Sequence, residues 1–275
     1  MLLAVVLLSI ALPGSRQGPP DGSRPGVEPL TIGETFTMTS RGLKEVRRIN
    51  VWTPPSYASS NVPLPVLYMP DGGMHEDFLH VAGLLQVSIG NGTMRPFMLV
   101  GIENTERRRD MTGPTQSDDD RKIAPRAGGS AAFRAFIRRE LMPEVRARYR
   151  TTAETAIVGE SLAGLFVVET FLREADLFDT YIAIDPSLWW NDAELLKGAA
   201  QQLRSRPVRK RTLFLASSGE PGLADTTRRL AEVLKKGAFP GVESHYAPMP
   251  SEGHATIYHP AALLAFRTLF KPASR

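Results

Sequence analysis

The sequence contains no cysteine. This excludes disulfides, thiolate metal sites and a cysteine nucleophile, and it leaves the compartment open. Tryptophan is scarce, with 3 residues, and histidine nearly so, with 5. Asp118-Asp119-Asp120 lacks the alternation, the glycine and the distant glutamate of a calcium loop, so neither metal nor cofactor is expected. Charge of one sign is not in excess: 33 Lys and Arg face 29 Asp and Glu, a formal +4. The densest basic stretches, Arg107-Arg108-Arg109 and Arg204 to Arg211, carry no interleaved aromatics. They read as solvated surface rather than as a nucleic-acid footprint. There is no internal repeat and no apolar run long enough to span a bilayer comfortably.

The one long apolar run, Leu2 to Leu12, has the length of a signal-peptide core, with small residues at Ser9-Ile10-Ala11 and a break at Pro13-Gly14-Ser15. It lacks a positive flank. The expectation is an exported protein, periplasmic or secreted, with a leader over 1–14, a Pro/Gly-rich linker over 15–30 and one domain over 31–275. An uncleaved N-terminal anchor is the alternative. The 275 residues are 42% hydrophobic, enough for one α/β core.

Glu34 to Thr39 and Val46 to Trp52 alternate polar and apolar residues and predict two antiparallel strands. Leu64 to Met69, Phe97 to Ile102, Thr155 to Val158, Tyr181 to Ile184 and Arg211 to Ala216 predict buried strands, and Ser244 to Met249 a last one. Helical spacing runs over Phe78 to Ser88, Ala131 to Tyr149, Leu162 to Arg173, Asp225 to Lys236 and Tyr258 to Phe270. Thr105 to Gly129 reads as a long polar loop of the kind that is often functional. Apolar strands alternating with helices predict a mostly parallel central sheet with helices on both faces. The ligand crevice of such a sheet lies beyond the carboxyl ends of its strands.

One turn at such an end stands out. Ile157-Val158-Gly159-Glu160-Ser161-Leu162-Ala163-Gly164 places Ser161 among small residues between a strand and a helix. That is the context of a nucleophile elbow, with Ala163 where the usual motif has glycine. A serine nucleophile needs a base, and the base an orienting acid. The order serine, acid, histidine leaves His254, in a loop before the last helix, as the base; His75 and His80 precede Ser161. Glu220, after the Arg211–Ala216 strand, is the first choice of acid. Asp225 in the same loop and Asp185 one strand earlier are alternatives, as is a dyad with no acid. Backbone N–H groups of Leu162 and of Gly72, Gly73 or Met74 would hold the oxyanion. Trp189 and Trp190 would wall the substrate pocket, and Arg109, within Arg107 to Asp110, would meet a polar substrate.

Leu67-Tyr68-Met69-Pro70-Asp71-Gly72, Arg109-Asp110-Met111-Thr112-Gly113-Pro114, Gly159 to Phe166 and, most specifically, Asp185-Pro186-Ser187-Leu188-Trp189-Trp190 carry a resemblance. With Gly253-His254, these segments resemble the putative esterase family of α/β-hydrolases, the group that includes esterase D-like enzymes and the enterobactin and salmochelin siderophore esterases. The resemblance implies an α/β-hydrolase fold and hydrolysis of a small-molecule ester through an acyl-enzyme, with Ser161 as nucleophile and His254 as base. Ala163 for glycine and Asp185 for serine depart from the commoner family pattern. Acyl transfer to an alcohol, or binding without catalysis on a hydrolase scaffold, are the rival readings.

Overall fold

A computed structural model describes residues 28–205 and 210–272. The leader over 1–14 and most of the linker lie outside the described residues, and the sheet and helices below belong to the unit that starts at Gly33. Among the described residues eight strands form one sheet: β1 (Glu34–Ser40), β2 (Glu45–Trp52), β3 (Leu64–Pro70), β4 (Met98–Ile102), β5 (Thr151–Glu160), β6 (Thr180–Ile184), β7 (Arg211–Ser217) and β8 (Val242–Pro248). Their order is β1-β2-β4-β3-β5-β6-β7-β8. The β1–β2 and β2–β4 pairs are antiparallel, and every other pair is parallel. This is the mostly parallel sheet of an α/β-hydrolase, as the alternation of elements predicts.

The helices are α1 (Ser56–Ser59), α2 (Phe78–Gly90), α3 (Arg107–Met111), α4 (Asp118–Ile123), α5 (Ser130–Phe136), α6 (Met142–Arg148), α7 (Leu162–Arg173), α8 (Trp190–Arg204), α9 (Pro221–Gly237) and α10 (Tyr258–Leu269). All seven residues of β3 are buried, which requires cover on both faces. Period-two alternation divides them. Val66 and Tyr68 join the core built with Phe133, Phe136, Leu165 and Phe166. Leu67 and Met69, equally buried, are left for the opposite face, where α2 and α10 pack together. Each such side chain contributes about 1.5–3 kcal/mol through burial.

The single helix expected over Ala131 to Tyr149 is broken: α5 and α6 are joined by a π-helical turn, Ile137–Leu141. Pro143 explains the break, since it has no N–H and its ring would clash with the carbonyl four residues back. Thr105 to Gly129 contains α3 and α4 rather than an unbroken loop. Helix α8 is not among the predicted helices. Its start hides three consecutive left-handed residues, Asn191, Asp192 and Ala193, with φ of 50°, 53° and 58°.

Candidate active site

Three neighbouring parallel strands end in a non-glycine residue with positive φ: Asp71 (55°) after β3, Ser161 (60°) after β5 and Asp185 (44°) after β6. Such conformations cost about 1–3 kcal/mol each and gather where a fold holds chemistry in place. At Ser161 the turn is tied from both sides. Its N–H donates to Ile184 O at 3.1 Å, and its carbonyl accepts from Leu165 N at 2.9 Å and Ser187 N at 3.1 Å. Small neighbours are obligatory. A Cβ on Gly159 would lie 2.7 Å from the Cβ of Ala163, and one on Gly164 would lie 2.9 Å from Ile184 O. Ala163, the departure from glycine, is accommodated because Gly159 leaves room for its methyl.

Across this turn, His254 Nε2 lies 3.1 Å from Ser161 Oγ. The other ring nitrogen, Nδ1, lies 2.7 Å from Asp185 Oδ2. An ionised carboxylate only accepts, so Nδ1 carries the ring proton and Nε2 is free to take one from the serine. Asp185 also accepts from Ser218 N at 2.9 Å and Ser218 Oγ at 2.8 Å. Burial works to raise its pKa, but the bonds from His254 and Ser218 win and hold the carboxyl below its ordinary 3.8. The Asp185 bond in turn raises His254 above its ordinary 6.5, against partial burial and with help from the charges of Glu160, Asp185 and Glu220.

The carboxylate on the histidine is thus Asp185 and not Glu220, the first choice from the sequence. Helix α9 begins at Pro221, ahead of the predicted start at Asp225, so Glu220 becomes its exposed N-terminal flank. Its charge reaches His254 only through space. Asp225 lies further along α9 and pairs with Arg228 at 2.6 Å and Arg229 at 3.6 Å.

The candidate oxyanion donors divide. Leu162 is the first residue of α7, so its N–H has no partner within the helix. Gly72 N donates to Ile102 O at 3.0 Å and Gly73 N to Glu76 Oε2 at 2.7 Å, which removes both as expected donors in this state. Met74 is left from that trio. Gly72 is a glycine for a different reason: a Cβ there would lie 2.3 Å from Gly101 Cα. Asp71 braces the loop, with Arg107 bound at 2.7 and 2.8 Å and Asn104 at 2.5 Å.

The pocket residues named from the sequence also separate. Trp189 is 39% exposed, whereas Trp190 is 4% exposed and donates from Nε1 to Gly113 O at 3.0 Å. Trp190 is therefore core beneath the long connection, not pocket wall. Arg109 bonds Asp110 at 2.7 Å and Glu45 at 2.7 Å, in a network with buried Arg47, and so braces α3 against β2. The arginine turned toward the crevice is Arg107, whose charge acts on Glu160. Among the described residues, no three His, Asp or Glu side chains form a group able to hold a metal.

The sequence profile of the family described as Putative esterase matches residues 40–236. The chain is 27% identical over 270 residues to a ferri-bacillibactin esterase of Bacillus subtilis, covering 87% of this chain and 90% of that protein. It is 31% identical over 208 residues to a siderophore triacetylfusarinine C esterase of Aspergillus fumigatus, covering 68% and 66%. A solved IroE-like serine hydrolase of Shewanella oneidensis superposes with a TM-score of 0.79 at 29% identity, over 86% of this chain and 80% of that one.

Proposed function

The chain belongs to the putative esterase family and is a serine ester hydrolase, and from that premise we propose how it works and on what. Ser161 is the nucleophile, His254 the base and Asp185 the acid that orients it. The observation that carries this reading is the line Ser161 Oγ, His254 Nε2 at 3.1 Å, His254 Nδ1, Asp185 Oδ2 at 2.7 Å. His254 takes the hydroxyl proton as Ser161 attacks the ester carbonyl. The tetrahedral oxyanion is met by the N–H of Leu162 and by that of Met74 on the loop after β3. His254 then gives its proton to the departing alcohol, leaving an acyl-serine, and a water repeats the sequence to release the acid.

The substrate we propose is a small ester of the siderophore type. It is supported by the relatives, which are named esterases of ferri-bacillibactin and of triacetylfusarinine C, and by the exposed Trp189 on the segment that follows Asp185. We place the activity outside the cytoplasm on the strength of the apolar segment Leu2 to Leu12.

Ser161→Ala tests the mechanism. It should fold normally and lose about 10⁴-fold or more in kcat on a short p-nitrophenyl ester. Retention of wild-type turnover would sink the assignment. A panel of short acyl esters, a feruloyl ester, a catecholate trilactone and a hydroxamate ester tests the substrate, with the siderophore-type esters expected to give the highest kcat/KM.

A further inference from the structure

A second carboxylate faces His254 and has no part in the chemistry above. Glu160 ends β5, directly before Ser161. Its Oε1 lies 3.3 Å from His254 Nδ1, the nitrogen that Asp185 Oδ2 meets at 2.7 Å. A serine–histidine pair needs one acid on that nitrogen; here its N–H bonds Asp185, and Glu160 stands beside it at ion-pair distance, acting through its charge. They are held differently. Asp185 is fully buried and fixed by Ser218. Glu160 keeps 17% of its side chain exposed and sits in the field of Arg107.

We propose, on the reading that Ser161 and His254 are the reactive pair, that Glu160 is a second acid for His254. It is a positioning residue that can hold the imidazole in the working tautomer when Asp185 is absent, and that adds a titrating charge to the ring when Asp185 is present. The groups around it come from several elements. His254 approaches from the loop before α10, Arg107 from α3, Asp77 from the loop before α2, and Asp185 from the end of β6. The buried Tyr258 of α10 also senses its charge, and Glu220 acts on the same histidine.

Burial raises the Glu160 carboxyl most; His254 and Arg107 pull it back, Asp77 and Asp185 add to the rise, and the balance is about 7. Glu160 is thus neutral on the acid side of that value and charged above it. Only the charged form favours the imidazolium. Removing it lets His254 lose its proton at lower pH. With Asp185 also removed, the histidine has no acid left on Nδ1.

The test uses the full chain, a short p-nitrophenyl ester and kcat/KM profiles from acid to alkaline pH. The proteins are the wild type, Glu160→Gln, Asp185→Asn and the double variant, each checked by thermal melting. Glu160→Gln should move the acid limb to lower pH by about 1 unit. Asp185→Asn should lose about 10²-fold, not the roughly 10⁴-fold seen where one acid serves alone. Its residual activity should climb with pH as Glu160 ionises. The double variant should fall by about another 10²-fold and lose that climb. A limb unmoved in Glu160→Gln, or a double variant no slower than Asp185→Asn, would overturn the proposal. If Asp185→Asn does not fold, the limb of Glu160→Gln decides alone. A wild type inert toward all esters would instead sink the Ser161–His254 reading itself.

Discussion

Two adjacent strands, β6 and β7, each run into a loop that offers carboxylates at the crevice end of the sheet, and the loops differ in what they do with them. The β6 loop buries Asp185 completely, gives it a φ of 44° and brings it to the histidine. The β7 loop leaves Glu220 exposed at a helix start, and Asp225 lies on into α9, paired with surface arginines. What the β7 loop gives the site is Ser218, whose N–H and hydroxyl both point at Asp185. One loop supplies the carboxylate that bonds His254 and the next supplies its holder. Donors that fix a carboxylate are what suit it to orient a histidine, since an unfixed one on a helix flank gains little from being near.

The sharpest way to break that contrast is to neutralise each acid in turn. Asp185→Asn should lower kcat/KM by about 10²-fold at neutral pH, the residue of activity resting on Glu160. Glu220→Gln should stay within about twofold, because an exposed charge acting through water is screened. Steady-state kinetics on one ester at two ionic strengths checks both. A Glu220 variant as damaged as the Asp185 variant would reverse the assignment of the two loops.

Much of the architecture is legible in the sequence. Continuous apolar runs mark β3 through β7, and the small residues around Ser161 mark a turn that sterics forbid to larger ones. His254 is legible by its place in the chain. The acid is not, because Asp185 and Glu220 both follow an apolar strand and their difference lies in Ser218 and in the fold of the chain around them. The same holds for Gly72 and Gly73. Their glycines announce a close approach, but the carbonyl of Ile102 and the side chain of Glu76 that occupy their N–H groups come from tertiary structure. Trp190 and Arg109 look like pocket residues on paper because an indole and a guanidinium suit either a pocket or a brace. Glu160 is visible in the sequence as a carboxylate directly before Ser161, but its approach to His254 comes from tertiary structure.

A smaller effect sharpens the role of the second loop. Ser218→Ala removes the hydroxyl bond of 2.8 Å to Asp185 and keeps the backbone one. Turnover should fall by about tenfold or less, and stability at pH 7 by about 1 kcal/mol. The pH dependence has a definite sign. The Asp185 carboxyl is held below its ordinary 3.8, so the stabilisation is complete above that value and fades as pH falls through the lower, folded-state pKa. Denaturant melts of wild type and variant should therefore converge in acid. A gap of constant size down to pH 3 would mean that Ser218 stabilises the fold without acting on the charged form of Asp185.

The least effect expected concerns the strain stored on the acid-bearing side. After Trp190 the chain makes a left-handed turn through Asn191, Asp192 and Ala193, which non-glycine residues enter at a cost of about 1–2 kcal/mol each. It is pinned from the long connection. Asn191 N donates to buried Asp120 at 2.7 Å, and Asn191 Oδ1 accepts from Gln116 N at 2.8 Å. The corresponding start of α9, at Pro221, needs no such device, because its flank Glu220 has ordinary extended geometry. Relieving one left-handed residue should show the difference. Ala193→Gly, at φ 58°, trades a small methyl contact and some chain entropy for release of the strain. It should raise stability by about 0.5–1 kcal/mol with kcat unchanged. If the variant instead gained or lost turnover severalfold, the turn would be coupled to Asp185 through Trp189 and Trp190, and the strain would belong to the site rather than to the packing beside it.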